Sequence, residues 1–118
     1  MEAEAMGLQI FGTRKSADTR KAERFFRERG IPFQLIDLSE KGISPGELRS
    51  VAKAVGRNSL MDVDGARYAA AGLAHIDHDP EEEILNDPLL LRTPVVRDGA
   101  RAVIGPDVEG WKTFLPAR

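Results

Sequence analysis

The chain has 118 residues, enough for one domain with a modest core, and 42% apolar against 31% charged residues exclude a disordered or fibrous protein. A net charge of -2 excludes the global basic excess of a general nucleic-acid binder. The absence of cysteine excludes disulfides, zinc–thiolate sites, iron–sulfur ligation and any thiol chemistry of the chain's own.

Met1 to Met6 is acidic and has neither a basic start nor an apolar core, so no signal peptide is expected. No apolar run approaches the roughly 20 residues of a membrane span. The expected compartment is the cytoplasm. Residues 1–7 are expected to form a flexible extension. Leu8 to Phe11 then alternates as a short strand running into Gly12. After Thr13-Arg14-Lys15, Ser16 or Asp18 can cap a helix with Ala22, Phe25 and Phe26 on its apolar face and Gly30 as its stop. Ile31 to Leu38 reads as a second strand, parallel to the first across a right-handed crossover.

Ser44-Pro45-Gly46-Glu47 is a capping box with proline at the first helical position. The helix behind it should bury Leu48, Val51, Ala52 and Val55 and end at Gly56. A third helix is predicted over Asp64–Ala71, stopped by Gly72. Asp79-Pro80-Glu81-Glu82 starts a short acidic helix through Leu85, which Asn86-Asp87-Pro88 breaks. Val95-Val96-Arg97 and Arg101 to Ile104 flank Asp98-Gly99, read as a two-residue hairpin turn. Asp107 caps a final helix striped with Val108, Trp111, Phe114 and Leu115. The order is β-α-β, a helical insert, then β-β-α. It predicts an α/β, thioredoxin-like fold: a single domain over residues 1–118, with a four-stranded mixed sheet flanked by helices.

The chain resembles the arsenate reductase (ArsC) family, which includes the Spx-type transcription regulators. The matching residues are Ile10 to Ser16, Thr19-Arg20-Lys21-Ala22, Arg29-Gly30-Ile31, Asp37-Leu38, Tyr68, Gly72-Leu73, Asn86-Asp87-Pro88, Thr93 to Val96 and Ala102 to Gly105. In that family a reactive cysteine ends the first strand–helix loop, where backbone N–H groups and the helix dipole lower a thiol's pKa. The resemblance puts Ser16 there. A serine hydroxyl without an adjacent base is a weak nucleophile and forms no mixed disulfide. The resemblance also implies oxyanion-binding arginines, but the corresponding positions hold Thr93, Asp62 and Pro106, with Arg92 one step before Thr93. It implies a cis peptide bond before Pro94, facing the Ser16 loop.

Thr13, Arg14, Lys15 and Ser16 gather two cations, two hydroxyls and free N–H groups at one helix start, a seat for an anion. With Arg92, Thr93 and Pro94 they form the candidate ligand site. Residues 14–29 carry seven basic side chains against three acidic, and residues 77–87 carry six acidic and no Lys or Arg. That polarity can steer a partner. His75 and His78 with Asp77 and Asp79 match no metal motif, and no metal is expected. Trp111, Phe114, Phe25 and Phe26 are expected in the core.

The favoured function is an ArsC/Spx-like protein-interaction or regulatory module without thiol redox activity. A protein partner is expected, and neither membrane, nucleic acid nor resident cofactor. The alternative is an arsenate reductase or glutaredoxin-type enzyme, or a relic of one, that binds glutathione or an oxyanion at the Ser16 loop. It would be active if Ser16 is an engineered replacement of cysteine.

Overall fold

A computed structural model of the protein describes residues 7–116. Of the expected N-terminal extension, residues 1–6 lie outside the described residues. Strand β1 (Leu8–Gly12) leads through a four-residue loop to α1 (Ala17–Glu28). Ser16 caps α1: its Oγ accepts from the Thr19 N–H at 3.3 Å. Arg29 follows the last helical residue, and Gly30 turns left-handed at φ 69°. That geometry lets the Gly30 and Ile31 N–H groups reach the carbonyls of Arg27 and Phe26, a Schellman closure.

Strand β2 (Phe33–Asp37) pairs parallel with β1, as the strand–helix–strand order requires. In α2 (Pro45–Val55) both halves of the capping box form, with Glu47 N–H to Ser44 Oγ at 3.1 Å and Ser44 N–H to Glu47 Oε1 at 3.0 Å. Leu48, Val51 and Ala52 are buried; Val55, expected among them, is only half-buried. The insert continues with α3 (Ala66–Ala70) and α4 (Pro80–Asn86). Helix α3 is shorter than the 64–71 expected, because Gly65 stands at its N-cap and supplies no side-chain acceptor. Helix α4 runs one residue past the expected Leu85, to Asn86.

Strands β3 (Val95–Asp98) and β4 (Arg101–Ile104) form the hairpin. Its turn falls at Gly99-Ala100, not Asp98-Gly99, since Asp98 is paired with Arg101. Gly99, at φ 62°, supplies the positive φ at the first turn position, which shifts the turn by one residue. The last helix, α5 (Val108–Lys112), ends before Phe114, and Val108 of the expected stripe is exposed.

The sheet order is β2-β1-β3-β4, with only the β1–β2 pair parallel. The expected four-stranded mixed sheet is thus borne out. Strand alternation divides the core into two layers. Phe11, Ile36 and Val95 face α2 and the insert, where Leu48, Val51, Leu60 and Ile84 complete one cluster. Leu8, Ile10 and Val96 face α1 and α5, where Phe25, Phe26, Trp111 and Phe114 complete the other. The aromatic residues are core, as expected. Trp111 is fully buried, its ring centroid 5.5 Å from that of Phe25.

Candidate functional site at the start of the first helix

Three chain segments meet at one end of the sheet. Strand β1 exits at Gly12, strand β2 exits beside it, with the Leu38 N–H donating to the Gly12 carbonyl at 2.8 Å, and β3 enters alongside in the antiparallel pairing of Phe11 with Val95. The loop Thr13–Ser16 is therefore brought to the same sheet end as Thr93-Pro94. The Thr93–Pro94 bond is cis, as the resemblance implied. Pro94 is fully buried, and its carbonyl accepts from the Gly105 N–H at 2.8 Å.

Within the loop, the Ser16 N–H donates to the Thr13 carbonyl at 3.1 Å, closing a tight turn. Arg20, one turn into α1, donates through Nη1 to the carbonyls of Arg14 (3.0 Å) and Lys15 (2.8 Å). The loop is thus clamped from the helix that follows it. Thr19 is fully buried and packs against Gly12; a Cβ at Gly12 would overlap its hydroxyl. The Thr19 Oγ1 is buried without a hydrogen-bond partner among the described residues.

Arg14 is committed elsewhere than to an anion. Its guanidinium lies 2.7 Å from Glu40 Oε2 and 3.2 Å from Asp37 Oδ2, and its backbone N–H also donates to Asp37 at 3.2 Å. These carboxylates, Glu40 first, hold the guanidinium still more firmly protonated. Asp37 is held below the usual carboxylate range, first by the Ser39 hydroxyl at 2.6 Å, then by the Ser39 N–H and by Arg14. Lys15 is the loop cation left without a carboxylate partner among the described residues.

Arg92 is exposed and its guanidinium rests on Gly105: a Cβ built there would stand 3.3 Å from Arg92 Nε. No hydrogen bond joins it to residues 13–16 among the described residues. Thr93 is half-buried. In the insert, His78 packs edge-on against Tyr68 with its Nδ1 3.0 Å from the Ile76 carbonyl, away from the Ser16 loop in sequence. The sequence reading missed Asp37, Glu40 and Arg20 as members of the site. Arg20 and Asp37 both stood among the family matches, which was the available signal for them; Glu40 had none.

No protein-family model matches the chain. Among solved structures, an arsenate reductase from Vibrio cholerae superposes with a TM-score of 0.80, at 22% identity over 93% of this chain and 98% of that one. An arsenate reductase (ArsC) related protein from Brucella melitensis superposes at 0.68, with 18% identity over 93% of this chain and 95% of that one. The fold is the ArsC fold.

A sequence match spans the same stretch. The Global transcriptional regulator Spx 2 of Oceanobacillus iheyensis is 24% identical over 119 residues, covering 96% of this chain and 87% of the regulator. The resemblance read from the residues is borne out, and the protein is ArsC/Spx-like with a thioredoxin-type sheet. At the position where that resemblance places the family's cysteine, this ArsC-fold protein has the cap residue of α1. Among the described residues no helix is long and apolar enough to cross a membrane.

Proposed function

We propose that this ArsC/Spx-like protein is a binding or regulatory module without thiol redox chemistry of its own, which docks on an acidic protein surface through the basic face of α1. The observation that carries this is the state of the loop. Ser16 is used as a helix cap and Arg14 is neutralised by Asp37 and Glu40, which leaves little at the helix start to hold or attack an oxyanion. On α1, Lys21 and Arg24 are exposed and carry no ion pair among the described residues, while Arg27 meets Glu23 only at 3.7 Å. Unneutralised surface cations speed encounter with a partner of opposite charge more than they stabilise the fold. The sequence match to a transcriptional regulator supports the same direction.

Pull-down from a native extract at physiological salt tests it, comparing the protein with a Lys21→Glu/Arg24→Glu variant. A stoichiometric partner retained by the first and released by the second is expected. No partner, or one indifferent to the reversal, overturns the proposal.

An alternative reading is binding of glutathione or an oxyanion at the Ser16 loop, favoured by Lys15, which stands at that helix start without a carboxylate partner among the described residues. Calorimetric titration with glutathione, arsenate and phosphate decides it: millimolar or tighter binding supports it, and none removes it. Ser16→Cys would place a thiol against the α1 N–H groups, where its pKa falls below the ordinary value of about 8.5. Alkylation rate against pH reads that shift. Thiol-transferase activity gained by the variant would mark an intact family site; none would mark a site that has drifted beyond the missing sulfur.

A further inference from the structure

A groove runs between the outer face of α2 and the tip of the β3–β4 hairpin, with a volume of about 420 Å³, lined by Gly46, Arg49, Ser50, Lys53, Ala54 and Ala100. The five α2 residues are spaced i, i+3, i+4, i+7 and i+8, a single helical stripe beside the buried Leu48, Val51 and Ala52. We infer that this groove is a binding site for a small molecule bearing a phosphate on a compact apolar body, of the size class of a nucleoside monophosphate.

The cations supply the first support. Arg49 and Lys53 are exposed one turn apart on the groove side of α2 and have no carboxylate partner among the described residues. Like charges at i and i+4 repel each other, and a dianion set between them relieves that repulsion while gaining charge-assisted hydrogen bonds. The small residues of the lining supply the second. Gly46, Ala54 and Ala100, all exposed, present only backbone and methyl surface, which suits a flat apolar body and offers it no competing charge.

The walls are also fixed in advance. The Ser50 hydroxyl donates to the Gly99 carbonyl at 3.2 Å and lies 3.4 Å from Arg97 Nε. Arg97 Nη1 donates to Gln9 Oε1 at 2.6 Å, and Gln9 Nε2 to Glu47 Oε2 at 3.3 Å. This chain ties α2 to the hairpin through the sheet and engages the neighbouring carboxylate, Glu47, within the network. A ligand entering the groove therefore orders few groups beyond the two cations, which favours affinity. The site is remote in sequence from the Ser16 loop and stands independently of the docking face on α1.

The test is a ¹H–¹⁵N shift titration of the full chain with adenosine 5′-monophosphate and, separately, with inorganic phosphate, repeated on Arg49→Gln/Lys53→Gln. The expected result is saturable shifts over residues 46–54 and 98–101 with the nucleotide, weakened at least about tenfold in the variant. The variant changes only exposed side chains and should keep the thermal midpoint of the parent. Absence of shifts, shifts centred on residues 13–20, or unchanged affinity in the variant would overturn the inference. Inorganic phosphate binding as tightly as the nucleotide would overturn the role given to the small apolar residues of the lining.

Discussion

Asp37 is the residue through which the helix-start loop is joined to the neighbouring strand. Its buried carboxylate receives the Ser39 hydroxyl and N–H on one oxygen and both the backbone and the side chain of Arg14 on the other. Because its folded-state pKa is lowered, its contribution is fully present above the unfolded value of about 3.9 and is lost as pH falls through the folded value. Asp37→Asn should therefore lower stability at neutral pH and flatten the acid limb of the stability curve. Urea midpoints measured from pH 7 down to about pH 2 check this, and an unchanged acid limb would assign the limb to other carboxylates.

At the scale of elements, helix ends were the most legible features of the sequence. Ser16, Ser44, Asp79 and Asp107 each cap the helix predicted behind them, because a short polar side chain before an apolar period has one inexpensive use. Ser44→Ala should cost about 1 kcal/mol, since it removes one half of a reciprocal pair and frees Glu47 from it. A denaturant midpoint that fails to move would mean Glu47 alone secures that helix start.

Less legible were features that depend on distant partners. The hairpin turn slipped by one residue because register is set by the pairing of Asp98 with Arg101, which the dipeptide Asp98-Gly99 does not reveal. Helix α3 shrank for want of a cap acceptor at Gly65. The neutralisation of Arg14 was invisible because Asp37 and Glu40 lie 23 and 26 residues further along the chain. The segments Thr13–Ser16 and Thr93-Pro94, grouped from the sequence, do come to one sheet end, but the sequence does not reveal that Arg14 is already engaged there.

Across the whole molecule, the sheet separates two apolar layers that meet the solvent through different helices. Trp111, the single tryptophan, lies entirely within the α1–α5 layer, against Phe25 and Phe26. Trp111→Ala should cost about 3–5 kcal/mol, a large share of the stability of a domain this size. In the parent, tryptophan emission and far-ultraviolet dichroism should follow one transition in urea. Separate transitions would show that the two layers melt independently.

The sheet order leaves β2 and β4 as its edges, five and four residues long. Pro32 stands just before the first and Pro106 two residues after the second, where each removes an N–H that an incoming strand would need. Arg101 sits on the outer strand itself, in an ion pair with Asp98. Such short, proline-flanked and charged margins are poor templates for cross-β growth. In concentrated solution the native molecule should resist edge-to-edge polymerisation, and aggregates should arise through unfolded chains.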